Sequence, residues 1–215
     1  ARRALEIRRA LHGDAHPETI KALQMLATIQ SRRGRNDLAE PLFAEMLRQS
    51  EIAYGPDAPD TMKAVSNLAV EYWFLNRMED ARTSFERVIE YQEARGAEGV
   101  VPAAETRISL AMCYARLDRN GEALASLDRS VADLSAKLGP ENRLTLHARS
   151  TRAAILVRTG EFEIAVADLP DVVAALRKIL APEDRSLLES IYTLAKAYHQ
   201  LGRYFEAEPL IREAV

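Results

Sequence analysis

The chain has 215 residues, 47% of them hydrophobic and 28% charged, enough apolar material for one large or two small domains and the composition of an ordinary soluble protein. A net charge of −3 and a pI near 5.9 provide no general field for a phosphate backbone, so nucleic-acid binding would need a local basic stripe. The single cysteine, Cys113, excludes an internal disulfide, and no run of 18 apolar residues offers a membrane span or follows the basic start as an export signal would require.

In chain order, apolar periodicity predicts helices at roughly 1–12, 17–33, 37–54, 59–76, 79–95, 102–118, 121–138, 142–159, 161–180, 184–201 and 204–215. No stretch alternates like a strand. The chain starts at Ala rather than Met, as expected of a piece of a longer polypeptide, and its lone thiol fits a reducing, cytoplasmic setting. Connectors at 12–19 (HGDAHPET), 54–61 (YGPDAPDT), 95–103 (RGAEGVVPA), 138–145 (LGPENRLT) and 180–187 (LAPEDRSL) each stop one helix and start the next. Gly or Pro breaks the first, while Asp, Asn, Thr or Ser offers an N-cap oxygen to the second. Pro41 and Pro209 fall near helix starts, where a missing amide hydrogen costs least, whereas Pro170 lies deeper and should bend or split its helix.

A period of 42 residues organises these elements. Stepping by it from Ala27 reaches Ala69, Ala111, Ala153 and Ala195, and from Ala39 reaches Ala81, Ala123, Ala165 and Ala207. Antiparallel helices joined by a short turn pack about 8–10 Å apart, closest where small side chains meet, so both columns read as contact points. A third column, Gly34, Asn76, Asp118, Gly160 and Gly202, holds residue types that tolerate the left-handed conformation ending a helix, and marks the turn within each pair. Phe43, Phe85, Leu127, Leu169 and Ile211 follow the second alanine by four residues, on the apolar face of the second helix.

LAVEY with ARTSF, and LATIQ with AEPLF, resemble the tetratricopeptide repeat, whose signature runs Leu, a small residue, two others and an aromatic, then Ala, then an aromatic four further on. The unit of 42 residues, with ALEIRRALHGDAHPETIKALQMLA and GRYFEAEPL, looks like the long repeat of kinesin light chains and of many bacterial proteins. Two features depart from the short repeat: Leu23, Val65, Arg107, Arg149 and Ile191 replace the leading Trp, and the closing Pro moves into the connectors as Pro56, Pro140 and Pro182. The resemblance implies an all-α, right-handed superhelical α-solenoid of about 11 helices: a half repeat at 1–16, repeats at 17–58, 59–100, 101–142 and 143–184, and a truncated repeat at 185–215.

It further implies that the first helix of each pair lines a concave wall. The columns of that helix not needed for packing give the candidate peptide-binding residues Lys21, Gln24, Thr28, Arg32, Lys63, Asn67, Val70, Trp73, Phe74, Ile108, Met112, Arg116, His147, Thr151, Arg158, Tyr192 and Lys196. These columns vary while the packing columns do not. Arg32, Arg116 and Arg158 recur at multiples of the period and could grip carboxylates about three residues apart on an extended peptide, or could instead be a solvated face paired to nearby Glu residues. Asn67 matches the Asn that many repeats of this kind use to hold a peptide backbone; Met25, Ser109, Thr151 and Thr193 at the same place put a strict carboxylate clamp in doubt. Trp73 and Phe74 could anchor a partner's hydrophobic side chain or be covered by the neighbouring helix.

Catalytic chemistry has no visible carrier. Cys113 shares a column with Ile29, Glu71, Ile155 and Ala197 and reads as a buried small hydrophobe. His12, Asp14 and His16 crowd one connector but lack a further firm ligand for a metal, so no metal or cofactor is expected. No Gly-rich phosphate loop, GxSxG or HExxH occurs. The leading expectation is therefore a non-catalytic scaffold binding a protein or peptide, acidic with an aromatic anchor, without nucleic-acid or membrane partners. Two alternatives stand beside it: a regulatory or sensor array fused to a signalling enzyme, such as a bacterial Ser/Thr kinase, or to a transcription factor; and self-assembly through end helices that leave Leu5, Leu11 or Leu210 uncovered.

Overall fold

The computed structural model describes residues 2–214. Eleven α-helices and one short 3-10 turn make up the described residues, with no strand among them: α1 (Arg2–His12), α2 (Pro17–Arg32), α3 (Asn36–Tyr54), α4 (Pro59–Phe74), α5 (Met78–Glu93), α6 (Val100–Arg116), α7 (Asn120–Leu138), α8 (Arg143–Thr159), α9 (Phe162–Ile179), α10 (Arg185–Gln200) and α11 (Tyr204–Ala214). The chain divides into two compact units, Ala1–Gly96 and Ala97–Val215. In the first, α1 packs on α2, α2 on α3, α3 on α4 and α4 on α5; in the second, α6 to α11 pack in the same successive way, with α8 also touching α6 and α10.

Both alanine columns are closed to solvent. None of Ala27, Ala69, Ala111, Ala153, Ala195, Ala39, Ala81, Ala123, Ala165 and Ala207 exposes more than 2% of its surface. The turn column takes the left-handed backbone at every member, with φ of 69°, 59°, 58°, 88° and 72° from Gly34 to Gly202, including the non-glycines Asn76 and Asp118. Asn and Asp occupy this region more readily than other side-chain-bearing residues, because a short polar side chain can bond locally there. After three of these turns an arginine braces the next helix: Arg77, Arg119 and Arg203 hydrogen-bond Asp80, Glu122 and Glu206 in its first turn. Their guanidiniums stack 4.3, 4.8 and 4.4 Å from the rings of Tyr72, Tyr114 and Tyr198 on the helix just ended.

The connectors between pairs use a bond that differs from the expected threonine cap. Thr19, Thr61 and Thr145 are fully buried, and each hydroxyl donates to a glycine carbonyl six residues earlier, Gly13, Gly55 and Gly139, at 2.7 to 2.8 Å. Caps come from His16 Nδ1, Asn142 Oδ1 and Asp184 Oδ1, which accept from the amides of Glu18, Leu144 and Ser186. The connector at 95–103 departs from this pattern: Ala97 and Ala103 stand at the Gly and Thr positions, Gly96–Glu98 forms the 3-10 turn, and α6 starts two residues earlier than expected.

Three further expectations are corrected. Pro170 does not split α9, which runs unbroken from Phe162 to Ile179. Leu169, Val172 and Val173 around it are buried, and at about 1.5–3 kcal/mol for each such side chain their packing outweighs the roughly 3 kcal/mol an internal proline costs. Pro41 and Pro209 lie just past the first turn of α3 and α11, so each removes one bond from its helix ladder. Leu5 is not uncovered; it is 6% exposed, in the core formed by α2 and α3, because α1 folds back on α2. Leu11 is exposed and Leu210 is half-buried against the core of the second unit.

Candidate functional site

The outward face of the first helices carries almost every candidate residue. In the first unit Lys21, Gln24 and Arg32 on α2 and Lys63, Val70 and Phe74 on α4 are exposed, while Thr28, Asn67 and Trp73 are half-buried. Each lysine bonds an acid three residues earlier, Lys21 to Glu18 at 3.0 Å and Lys63 to Asp60 at 2.8 Å, and the Asp60 bond raises the Lys63 pKa. Such exposed pairs contribute little to stability, so both ammonium groups can be re-partnered cheaply. The rings of Trp73 and Phe74 meet edge to face at 5.3 Å, leaving Phe74 54% exposed beside Val70. An aromatic and an aliphatic side chain are thus held side by side in water on the surface of α4.

In the second unit Met112 and Arg116 on α6, His147 and Arg158 on α8, and Tyr192 and Lys196 on α10 are exposed, with Thr151 half-buried. Ile108 is the exception. It is 2% exposed and packs with Ala104, Ala111 and Ala148, so α8 covers the turn of α6 on which it sits and it does not line the wall. The polar or exposed occupants of its column, Gln24, Ser66, Ser150 and Tyr192, gave no warning, although an isoleucine among them was itself the signal.

Met112, His147 and Thr151 come together in a cavity of about 450 Å³. It is lined by the apolar Met112, Leu144, Ala154, Leu176 and Leu180 and by the polar Ser150, Thr151, Ser186, Ser190 and Thr193 with Arg143, His147 and Glu189. Leu176 and Leu180 were missed from sequence because they belong to the last turn and C-cap of α9, a second helix assigned wholly to packing. Ser190 is fixed by donating to Ser186 O at 2.8 Å and by a 3.0 Å contact with Ser150 Oγ, which ties α10 to α8 within the cavity lining. His147 is exposed at the cavity wall, yet the surrounding protein mass desolvates its ring and lowers its pKa; the Glu105 and Glu189 carboxylates pull the other way and Arg143 adds to the lowering. The imidazole is thereby biased toward its neutral form, able both to donate and to accept.

The arginine row divides. Arg32 belongs to the first unit, and Arg116 and Arg158 to the second. Arg158 donates to Asn120 Oδ1 and stands 3.8 Å from Asp118 in the preceding turn, an exposed contact weak enough to be exchanged for another carboxylate. Tyr192 and Lys196 do not line the cavity. Cys113 is completely buried, and burial pushes its thiol up to about 11, which suits packing rather than nucleophilic chemistry. In the first connector His16 caps α2, His12 stacks on it at 4.5 Å, and Asp14 pairs with Arg9.

Helix pairs in constant register, closed by small residues and presenting variable first-helix faces, define a helical-repeat protein. The tetratricopeptide repeat is matched over residues 1–51 and 32–94, over 104–129 and over 187–215. The chain belongs to that family, as an array of the kinesin-light-chain-like type. It is similar to the nearly identical TPR-like repeats of a Podosopora anserina kinesin light chain, with 25% identity and a TM-score of 0.76 over 93% of this chain and 94% of that one. BtubC (BKLC) from P. vanneervenii has a TM-score of 0.80 at 19% identity, over 99% of this chain and 86% of the other. Aspartyl phosphate phosphatase F from Bacillus subtilis, at 13% identity and a TM-score of 0.63, shares the fold over 92% of this chain and 59% of its own. No curated protein matches the chain in sequence.

Proposed function

We propose that the chain is a non-catalytic docking module that holds an extended segment of another protein against its first helices. The observation that carries this reading is the contrast between columns: the packing positions are repeated and buried, whereas the candidate positions are varied and, Ile108 aside, open or half-open to solvent. Nothing in the fold requires Phe74 or Met112 to face water, and exposed apolar side chains rimmed by polar ones mark interaction surfaces. In the second unit Arg116 and Arg158 would take acidic side chains of a partner; in the first, the Trp73 and Phe74 pair would take an aromatic or aliphatic anchor. The setting is cytoplasmic; among the described residues no helix is long and apolar enough to cross a membrane.

Binding of an unbiased library of acidic and aromatic peptides to the wild-type chain and to Arg116→Glu tests the reading. Charge reversal should weaken acidic binders about tenfold, equivalent to 1.4 kcal/mol, and leave uncharged ones unchanged. A library that yields no binder, or binders indifferent to Arg116→Glu, removes its support. Self-association is a second reading, favoured by α11, where Phe205 is 95% and Tyr204 60% exposed. Solution scattering that shows a monomer at high concentration eliminates it.

A further inference from the structure

Glu71 occupies a place that the repeat gives to apolar residues. Its counterparts are Ile29, Cys113, Ile155 and Ala197, and its own side chain is 1% exposed. Among the described residues Oε1 has no hydrogen-bond partner and the carboxyl has no cation paired to it; on α2 the Ser31 side chain lies within its reach. The charge that acts on it is Glu40 on α3, itself paired to Arg77 at 3.3 Å. A carboxylate buried without a cation carries the full cost of desolvation, whereas the carboxylic acid is neutral and brings a donor of its own.

We propose that Glu71 is a proton-operated latch between α2 and α4: as the acid it closes the seam, and as the carboxylate it loosens α4, the helix that presents Asn67, Val70 and Phe74. The latch does not depend on what that face binds. Burial raises the Glu71 pKa and Glu40 raises it further, against the Ser31 hydrogen bond, which lowers it. A carboxyl with a raised folded-state pKa binds its proton more tightly in the folded chain. Its contribution to stability is therefore fully present below the unfolded value of about 4.3 and is lost as pH rises through the folded value. Between those limits one proton changes the opening equilibrium by up to about tenfold per pH unit.

The test uses the whole chain. A carbon-13 titration of its glutamate carboxyls reads Glu71 directly, and amide hydrogen exchange across α2 and α4 is compared in wild type, Glu71→Gln and Glu71→Ile from pH 4 to 8. The latch predicts a Glu71 midpoint above that of the chain's exposed glutamates. It also predicts a fall in wild-type α4 protection with rising pH that both variants lack. A midpoint in the ordinary glutamate range, or the same pH profile in wild type and variants, overturns it. Should either variant fail to fold, the titration of the wild-type chain decides alone.

Discussion

Alanine at ten seam positions is a geometric requirement. With less than 3% of any of these side chains exposed, there is no room for added methylenes unless a helix moves, and every pair in the array repeats the constraint. Replacing Ala111, at the middle of the second unit's α6, by leucine should therefore cost about 1–3 kcal/mol, measured as a lower urea midpoint with unchanged slope. An effect below about 0.5 kcal/mol would mean that the column does not set the helix spacing. These positions were legible in the sequence because identical demands produce identical residues. Glu71, Arg107 and Ile108 were not, for the same reason: each breaks its column, and periodicity alone does not say whether an exception faces water or the core. Arg107 shows the cost of that ambiguity. It is buried at a place held by Leu23 and Val65 in other pairs, and there it bonds Asp133 on α7 at 2.9 Å.

Helices were predicted to within a few residues because Gly, Pro and cap residues punctuate them, but the bonds that hold their ends were not. The buried threonine that donates to a glycine carbonyl six residues earlier closes three connectors, and its members are a whole number of periods apart. Thr145→Val keeps the shape and removes the donor, leaving the Gly139 carbonyl with only the 3.3 Å bond from the Asn142 amide. A loss of about 0.5–1.5 kcal/mol is expected from the net value of one hydrogen bond. Thermal unfolding should show it as a lower Tm, with Leu187, already apolar at the same place in the first turn of α10, as the natural precedent. An unchanged Tm would show that the connector is held by the left-handed glycine alone. Proline was over-read at this scale. Local chemistry predicts a break at Pro170, and the burial of its neighbours on α9 overrides it.

At the scale of the molecule, the repeat made the family readable from one sequence, since five successive units agree on turn, seam and apolar face. The division into two units was not readable as such. It falls at Gly96, inside the connector that has alanine in place of both the glycine and the threonine of the closing bond. The candidate wall was legible as a set of columns but not as a cavity, because Leu176 and Leu180 reach it from a second helix. The central claim is that the first helices are where a partner lies. Photo-crosslinking with the tightest peptide from the library, mapped by mass spectrometry, tests this most directly. The account predicts crosslinks on the exposed faces of α2, α4, α6, α8 and α10, at residues such as Phe74, Met112, Arg116 and His147. Crosslinks concentrated on α3, α5, α7 and α9 would contradict it.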